Sequence, residues 1–337
     1  MDFQPTEDQE ALRTGVRELL AGRFPREALR AAVDAGDTSV AGGPRVAGGP
    51  QVVDRALWRE LGAAGFFALR LPEAAGGVGL GLPEAVLVFE EAGRVLLPGP
   101  LVGTHLAATH LPGPVAAGAA AGDLLVALAL PPAPVGHLGA VDAVLALGER
   151  GASSVPRVGL FTADGFPAAA IRSADPLTPL HLPHGGAHGG EPLTDVDPAP
   201  LRREAALLTA AQQVGSAGRT LAMAVQHARE REQFGRPIGA FQAVKHLCAD
   251  MLVRVEMART AVYAAAVSGD GFETAAARLL ADDAAARNAR DCLQVFGGMG
   301  FTWEADVHLH IKRSWVLAAG RGDAERLEEE LAAGLLA

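Results

Sequence analysis

Two short stretches of the chain combine residue types that suit phosphate and nucleoside binding. The first covers residues 229–246, REREQFGRPIGAFQAVKH, where Arg231, Gln233 and Phe234 precede a Gly-Arg-Pro-Ile-Gly turn. An arginine guanidinium offers a fork of donors to a diphosphate, an amide can bond a phosphate or ribose oxygen, and an aromatic ring can pack on an adenine or ribose. Because helical patterns flank the turn, we expect a ligand-binding break between two helices; the alternative is a solvated charged loop.

The second stretch, residues 294–313, reads QVFGGMGFTWEADVHLHIKR. It is another helix, break and helix, and its three glycines suit a place where backbone must approach something closely. Gly298 and Gly300 do not form a dinucleotide-binding fingerprint, since that motif needs a preceding strand and here a helix is predicted.

The composition limits the possible partners. The chain has 337 residues, of which 49% are hydrophobic, and its net charge is 29 − 39 = −10. This length allows two or three domains with a real core. The acidic balance argues against nucleic acid or an anionic membrane surface as a partner. The sequence lacks a signal-peptide pattern and an apolar run long enough to span a membrane, so we expect a cytoplasmic protein.

Hydrophobic periodicity divides the chain into three predicted domains. Residues 1–123 are mostly helical, with Thr6 as a plausible N-cap of the first helix. Residues 124–200 contain short apolar runs separated by Pro and Gly, which predict a small β domain with strands near 124–130, 143–147, 157–161 and 168–172. Residues 201–337 have the three-four apolar spacing of a four-helix bundle. We expect a loop at 35–51 and largely irregular chain at 175–200.

Together the two stretches resemble the acyl-CoA dehydrogenase family, flavoproteins that make α,β-unsaturated acyl-CoA thioesters. A third matching segment is LWRELGAAGFFALRLPEAAGGVGLGLPEAVLVFEEAGR near the N-terminus. The resemblance covers nearly the whole chain, weakly in the middle. It implies a mainly α fold with a helical N-domain, a shortened, barrel-like central β domain and a C-terminal four-helix bundle, and it implies FAD as cofactor. In that family the two motifs reach across a subunit interface to the pyrophosphate and adenosine end of a neighbour's FAD. The corresponding residues here are Arg231, Gln233, Phe234, Gln294, Gly297 and Gly298.

The sequence departs from the family pattern in two places. Family members cradle the flavin ring with a Trp-bearing strand of the middle domain, but the tryptophans here are Trp58, Trp303 and Trp315. The α-proton must be removed by a carboxylate, which the family supplies after the last motif or early in the first bundle helix. The first place falls on Gly320, Arg321 and Gly322, with Asp323 just beyond; the second falls at Ala205, next to Glu204. Glu304 is interpreted as a helix-start carboxylate.

The chain thus resembles the degenerate subunit of α2β2 acyl-CoA dehydrogenases, known in actinobacterial steroid side-chain degradation, in which the partner carries the glutamate and the flavin-ring pocket. We therefore predict no catalytic residue in this chain, a catalytic partner subunit, and an acyl-CoA in the partner's site. Two alternatives stay open: a self-sufficient homotetramer with Glu204 or Asp323 as base, and a flavin-free scaffold.

No metal site is predicted. His181, His184 and His188 lie close in sequence, but glycine-rich flanks favour a polar loop. His308 and His310 should face opposite sides of one helix.

Overall fold

Helices at both ends of the chain enclose a short strand-containing stretch. The computed structural model describes residues 5–40, 52–148, 157–184, 190–320 and 324–335. Among the described residues, the N-terminal part contains six α-helices: α1 (Glu7–Arg23), α2 (Arg26–Val40), α3 (Arg55–Ala63), α4 (Leu82–Arg94), α5 (Leu101–His110) and α6 (Gly113–Ala120).

The predicted N-cap of α1 is confirmed. The Thr6 hydroxyl accepts a hydrogen bond from the Gln9 backbone N–H, and the Gln9 side chain accepts one from the Thr6 backbone N–H in return. This reciprocal pair satisfies two helix-end donors that would otherwise lack partners. Leu20 of α1 is fully buried against the rest of the core.

Seven short strands form two sheets between Val126 and Pro192. They are β1 (Val126–Ala129), β2 (Val135–Gly136), β3 (Ala143–Ala146), β4 (Gly159–Thr162), β5 (Ala168–Ile171), β6 (Leu180–Pro183) and β7 (Glu191–Pro192). One sheet has the order β1-β3-β4-β7, with β1 and β3 parallel and the other pairs antiparallel. The other has the antiparallel order β2-β6-β5. The four predicted strands correspond to β1, β3, β4 and β5.

The C-terminal part is helical again. It contains α7 (Pro198–Glu230), a hairpin of β8 (Glu232–Gln233) and β9 (Arg236–Pro237), α8 (Gln242–Ser268), α9 (Gly271–Phe296), α10 (Val307–Ala319) and α11 (Ala324–Leu335). Helices α7 to α10 pack together as a bundle, as predicted. The division into 1–123, 124–200 and 201–337 stays a prediction.

Helices α4 and α7 cross with backbone against backbone. A Cβ on Gly93 would lie 2.0 Å from the Gln212 carbonyl oxygen, and one on Gly215 would lie 1.9 Å from the Glu90 carbonyl oxygen. Only glycine permits this distance at either position. The crossing joins the N-terminal helices to the bundle, and one continuous core of buried side chains runs through all three parts.

Two expectations of irregular chain were wrong. Helix α2 continues to Val40, past the predicted loop start at residue 35, because Gly36 packs directly on the Pro176 carbonyl. Residues 41–51 lie outside the described chain. The predicted irregular stretch 175–200 contains β6, β7 and the start of α7. Its first turn is fixed by Asp175, whose carboxylate accepts hydrogen bonds from the Leu177 N–H and the Thr178 hydroxyl. In the described chain, no helix is both long and apolar enough to cross a membrane.

Candidate functional site

The first predicted motif forms an outward-facing hairpin at the end of α7. Gln233 pairs with Arg236 in the ladder, so Phe234 and Gly235 form a two-residue turn. Their φ angles are 54° and 75°, the positive pair that a type I′ turn requires. Positive φ is uncommon for a bulky side chain. The Phe234 ring is also 92% exposed, so the turn points this side chain into solvent.

The base of the hairpin is held firmly while its side chains stay available. The Arg231 N–H donates to the His227 carbonyl, and the Ile238 N–H donates to the Arg231 carbonyl at 2.8 Å. The Arg236 guanidinium lies over the Phe241 ring, 4.3 Å from its centroid, and Phe241 in turn meets Phe234 edge to face. Among the described residues, the Arg231 guanidinium has no hydrogen-bond or ion-pair partner.

The second motif ends α9 with an exposed glycine turn. Gly297 has φ 62° and ψ −143°, a conformation essentially restricted to glycine. A Cβ on Gly298 would meet nothing within 4 Å, so open space lies beside this backbone. The following loop is clamped to α2: Arg26 donates to the Asp306 carboxylate at 2.6 Å, and Arg30 donates to the Trp303 carbonyl at 2.7 Å.

The structure brings the two motifs to the same end of the bundle. His227, one turn before Arg231, stacks on Phe296 with ring centroids 4.2 Å apart. Phe296 lies between Gln294 and Gly297. We call the resulting surface the hairpin face; it contains the six predicted residues Arg231, Gln233, Phe234, Gln294, Gly297 and Gly298, all of which are exposed.

The chemistry of the hairpin face fits the diphosphate and adenosine part of FAD. It offers a guanidinium without an internal partner, two amide side chains, an exposed aromatic ring and open glycine backbone. These groups suit, respectively, a diphosphate, polar oxygens, an adenine ring and close approach of a ligand. Because the face is exposed, a ligand lying on it needs another surface to cover its far side.

Glu204, the alternative candidate for the base, lies in a largely buried ion cluster. Its carboxylate pairs with Arg70, lies 2.7 Å from His110 Nε2 and lies 3.5 Å from His105 Nε2. Burial by itself raises the pKa of the Glu204 carboxyl, but hydrogen bonds from His105, His110 and Arg70 outweigh burial and hold that pKa well below its usual range. The carboxylate therefore links α7 to α5 and to the segment after α3.

A small cavity lies where α5, the middle strands, α7 and α10 meet. It measures about 100 Å³ and reaches Gly320, the first of the three residues at which the family resemblance places the base. Its floor includes Arg313, whose Nε donates to the buried Asp175 carboxylate. Ligand pockets for small organic molecules usually measure about 300–1,000 Å³. The cavity is therefore too small for a flavin ring together with an acyl chain.

Glu304 and Asp306 do not line this cavity. Glu304 is fully exposed, three residues before α10, and Asp306 is the residue at the helix start. Hydrogen bonds from its own backbone N–H and from Thr302 lower the pKa of Glu304. Asp323 lies outside the described residues.

The histidines have separate environments. His310 Nδ1 lies 2.8 Å from the Ser216 hydroxyl, whereas the His308 ring stacks on Trp303. His188 lies outside the described residues, and no group of three potential metal ligands occurs within the part that is described.

Sequence reasoning missed the buried and half-buried polar groups that hold the site region together. They are Arg70, His105, His110, Asp175 and Arg313. The available signal was a charged or imidazole side chain inside an otherwise apolar run, as in FALRLP and THLAATH. Such residues are rarely buried without a partner.

Comparisons with known proteins agree with this architecture. The N-terminal domain model of acyl-CoA dehydrogenases matches residues 6–113, and the C-terminal domain model matches residues 203–336. The chain is 35% identical to acyl-CoA dehydrogenase IpdE2 of Mycobacterium tuberculosis, covering 97% of this chain and 98% of that protein. It is 34% identical to acyl-CoA dehydrogenase FadE34 of the same organism over 81% of this chain and 41% of that protein.

A solved structure extends the likeness to three dimensions. A chain in the crystal structure of the ChsE4-ChsE5 complex from Mycobacterium tuberculosis matches with a TM-score of 0.81 and 27% identity, covering 100% of this chain and 99% of that chain. The predicted fold class is thereby confirmed. Two matching family models and full-length similarity to IpdE2 show that the chain belongs to the acyl-CoA dehydrogenase family, whose cofactor is FAD.

Proposed function

We propose that this chain is the FAD-completing subunit of a heteromeric acyl-CoA dehydrogenase. In this proposal a catalytic partner holds the flavin ring and supplies the base, and the hairpin face binds the diphosphate and adenosine end. The observation that carries the proposal is the outward position of all six predicted FAD-binding residues. A cofactor bound on an exposed face must be covered by another chain.

We call the small cavity between α5, the middle strands, α7 and α10 the junction cavity. Its volume supports the assignment of the flavin ring and the base to the partner subunit. A complete enzyme needs room for the flavin ring and the reacting part of the acyl chain beside the base. In this chain a cavity of about 100 Å³ stands at that place, with the buried Arg313–Asp175 pair beside it. We infer that the ring belongs to the partner's site.

The environment of Glu204 argues against its use as the base. Abstraction of an α-proton is favoured by a carboxylate whose pKa is raised towards the working pH. Arg70, His105 and His110 instead lower the pKa of Glu204 and occupy its oxygens. Moreover, the carboxylate is only 5% exposed, which keeps substrate away from it.

The chain's own residues would bind and orient the cofactor. FAD supplies the hydride acceptor of the reaction. Arg231 would neutralise the diphosphate, Gln233 and Gln294 would bond polar oxygens, and Phe234 would cover the adenosine. Because the sequence resembles the steroid-type α2β2 members, we include a bulky, steroid side-chain acyl-CoA as the substrate class, in an α2β2 assembly with two active sites.

A self-sufficient homotetramer is the competing proposal, with Asp323 or Glu204 as base. A flavin-free scaffold is a third, and the hairpin disfavours it. Backbone strain persists where function requires it. In the isolated chain, Phe234 at positive φ strains the backbone while its exposed ring adds little burial.

The test is the flavin content of the chain alone and of its complex with a catalytic acyl-CoA dehydrogenase from the same genome. We expect no flavin in the chain alone and two FAD per heterotetramer in the active complex. Arg231→Ala should weaken flavin binding by about tenfold or more, the loss expected for one charge-assisted contact to a phosphate. Arg229→Ala, at an exposed position of α7 two residues earlier, is the matched control and should leave binding unchanged.

Two results would overturn the proposal. One is a chain that is yellow, homotetrameric and active by itself. The other is a complex whose flavin occupancy is unaffected by Arg231→Ala.

A further inference from the structure

Four large apolar side chains form an exposed stripe that begins at the glycine turn of the hairpin face. We call it the aromatic stripe; it consists of Met299, Phe301, Trp303 and Trp315, which are 51%, 77%, 40% and 46% exposed. The remaining tryptophan of the chain, Trp58, is 1% exposed, the more usual state for so large a ring. Exposed apolar side chains that lie together mark interaction surfaces. The proposed function assigns no role to these four.

The aromatic stripe follows one side of α10. The Trp303 ring stacks on the His308 ring, with centroids 5.1 Å apart, and the Lys312 ammonium lies 4.8 Å from the Trp303 centroid. Trp315 comes one turn after Lys312. Because positions 308, 312 and 315 are spaced by four and then three residues, they share a face of the helix. Trp303 and Trp315 are therefore neighbours on one surface.

The loop that carries Phe301 and Trp303 is held in place within this chain. The Thr302 N–H and hydroxyl both donate to the Met299 carbonyl, at 3.1 and 3.0 Å. The Trp303 carbonyl accepts a hydrogen bond from Arg30, whose guanidinium lies 5.8 Å from the Trp303 ring centroid. Side chains that are already ordered lose less entropy on binding. Trp, Phe and Met are also enriched at the centres of protein interfaces, so both order and composition suit a protein partner.

The position of the stripe identifies the partner. Met299 and Phe301 belong to the same 3₁₀ turn as Gly297 and Gly298 of the hairpin face. Such a turn rises about 2.0 Å per residue, so Phe301 lies about 6 Å from Gly298, and Trp303 at most about 7 Å farther. A standard interface covers about 800 Å² of each chain, a patch about 30 Å across. A patch of that size centred on the glycine turn contains both aromatic rings.

We propose that the aromatic stripe is the main apolar contact of this chain with its catalytic partner subunit. The partner that covers the diphosphate and adenosine end of FAD at Gly297 and Gly298 would also bury Phe301 and Trp303 in an apolar surface of its own. The inference rests on the proposed function, since the partner is the subunit proposed there. It separates two roles on one face: the hairpin residues bind the cofactor, and the stripe binds the protein.

The experiment measures the dissociation constant between this chain and the catalytic acyl-CoA dehydrogenase from the same genome, at saturating FAD. Phe301→Ala and Trp303→Ala should each weaken the complex by about 30-fold or more, the loss expected for an aromatic hot spot. Phe272→Ala is the matched control. Its ring is 41% exposed in the first turn of α9, about 36 Å along that helix from Phe296, so the dissociation constant should not change.

Two further measurements keep the test decisive. The Phe301 ring is 77% exposed, so Phe301→Ala should leave the Tm of the free chain unchanged even if Trp303→Ala fails to fold. Hydroxyl-radical footprinting of the wild type needs no substitution at all. Met299, Phe301, Trp303 and Trp315 should be oxidised in the free chain and should lose most of that reactivity in the complex, whereas Phe272 should react equally in both.

The inference is overturned by normal assembly of Phe301→Ala and Trp303→Ala, by a stripe that stays reactive in the complex, or by an equal loss in Phe272→Ala. Protection that appears in the free chain as its concentration rises would assign the stripe to a second copy and overturn it as well.

The flavin content of the same samples tests the proposed function separately. A complex that loses flavin with Arg231→Ala but assembles normally with Phe301→Ala would refute only the role of the stripe. A complex that weakens with Phe301→Ala but keeps its flavin with Arg231→Ala would refute only the proposed cofactor role.

Discussion

Replacing Phe234 by glycine should separate cofactor binding from stability. Phe234 occupies the first turn position with φ 54°, and its ring is 92% exposed. In the isolated chain the ring contributes little burial. In the proposed complex the same ring is covered by the adenosine of the partner-held FAD.

The expected magnitudes follow from these two environments. A residue other than glycine in the left-handed region costs about 1–2 kcal/mol, which Phe234→Gly relieves. Glycine also has greater conformational freedom in the unfolded chain, which lowers the free energy of unfolding by about 0.5–1 kcal/mol. The free energy of unfolding should therefore stay the same or rise by up to about 1.5 kcal/mol. Loss of a buried phenylalanine costs about 1.5–3 kcal/mol of binding, which corresponds to about 10- to 150-fold weaker FAD affinity.

The assay combines urea unfolding of the isolated chain with FAD titration of the assembled complex. Phe234→Tyr keeps the ring and should bind FAD nearly as well as the wild type. Leu182→Ala removes another exposed apolar side chain, on β6, and should change neither quantity. If Phe234→Gly destabilises the chain by more than about 1 kcal/mol, the strain is misjudged. If its FAD affinity is normal, the ring does not contact the cofactor.

Three further substitutions, at Glu204, His310 and Gly215, test the contributions of buried residues to stability. Glu204→Gln should lower the unfolding free energy by about 3 kcal/mol, because it leaves Arg70 without its buried partner, while turnover of the assembled enzyme stays within a few fold. The depressed pKa of Glu204 gives stability that is present above about pH 4.5 and lost on acidification, so acid titrations of the variant should be flatter. His310, whose pKa burial lowers to about 3, binds a proton only in the unfolded chain between that pH and about 6.5. The His310 contribution to the loss of wild-type stability between pH 7 and pH 5 should thus be about 2 kcal/mol, so calorimetric melts of His310→Gln should show a pH-dependent loss that is smaller by about this amount. Gly215→Ala places a methyl group 1.9 Å from the Glu90 carbonyl and should cost at least about 2 kcal/mol in chemical denaturation; an unchanged midpoint would show that α4 and α7 can separate.

Local signals were sufficient for most elements of this fold. The three-four apolar spacing located α7 to α10, and four apolar runs located β1, β3, β4 and β5. The cap at Thr6 was predictable because its hydrogen bonds involve neighbours in sequence. The wrong expectation of a loop start at residue 35 arose where a contact from far along the chain decides the conformation, that of Gly36 with Pro176.

The hairpin face could be predicted only as a set of residue types. Sequence showed Arg231, Gln233 and Phe234 in a turn, but the positive φ of Phe234 and the stacking of His227 on Phe296 are properties of the folded chain. The ion cluster around Glu204 was not predictable, since its members come from three separate segments. The Arg313–Asp175 pair joins residues that are 138 positions apart, so no local sequence pattern predicts it.

The crossing of α4 and α7 has a consequence for how the chain opens. Two glycines place the backbones of the first and last parts in contact, so neither part can loosen without exposing the other. Amide hydrogens on both helices should therefore exchange with solvent through one shared opening event of nearly the full unfolding free energy. Regions that lie on separate stretches of sequence would then behave as a single cooperative unit, and a protease should find no stable fragment between them.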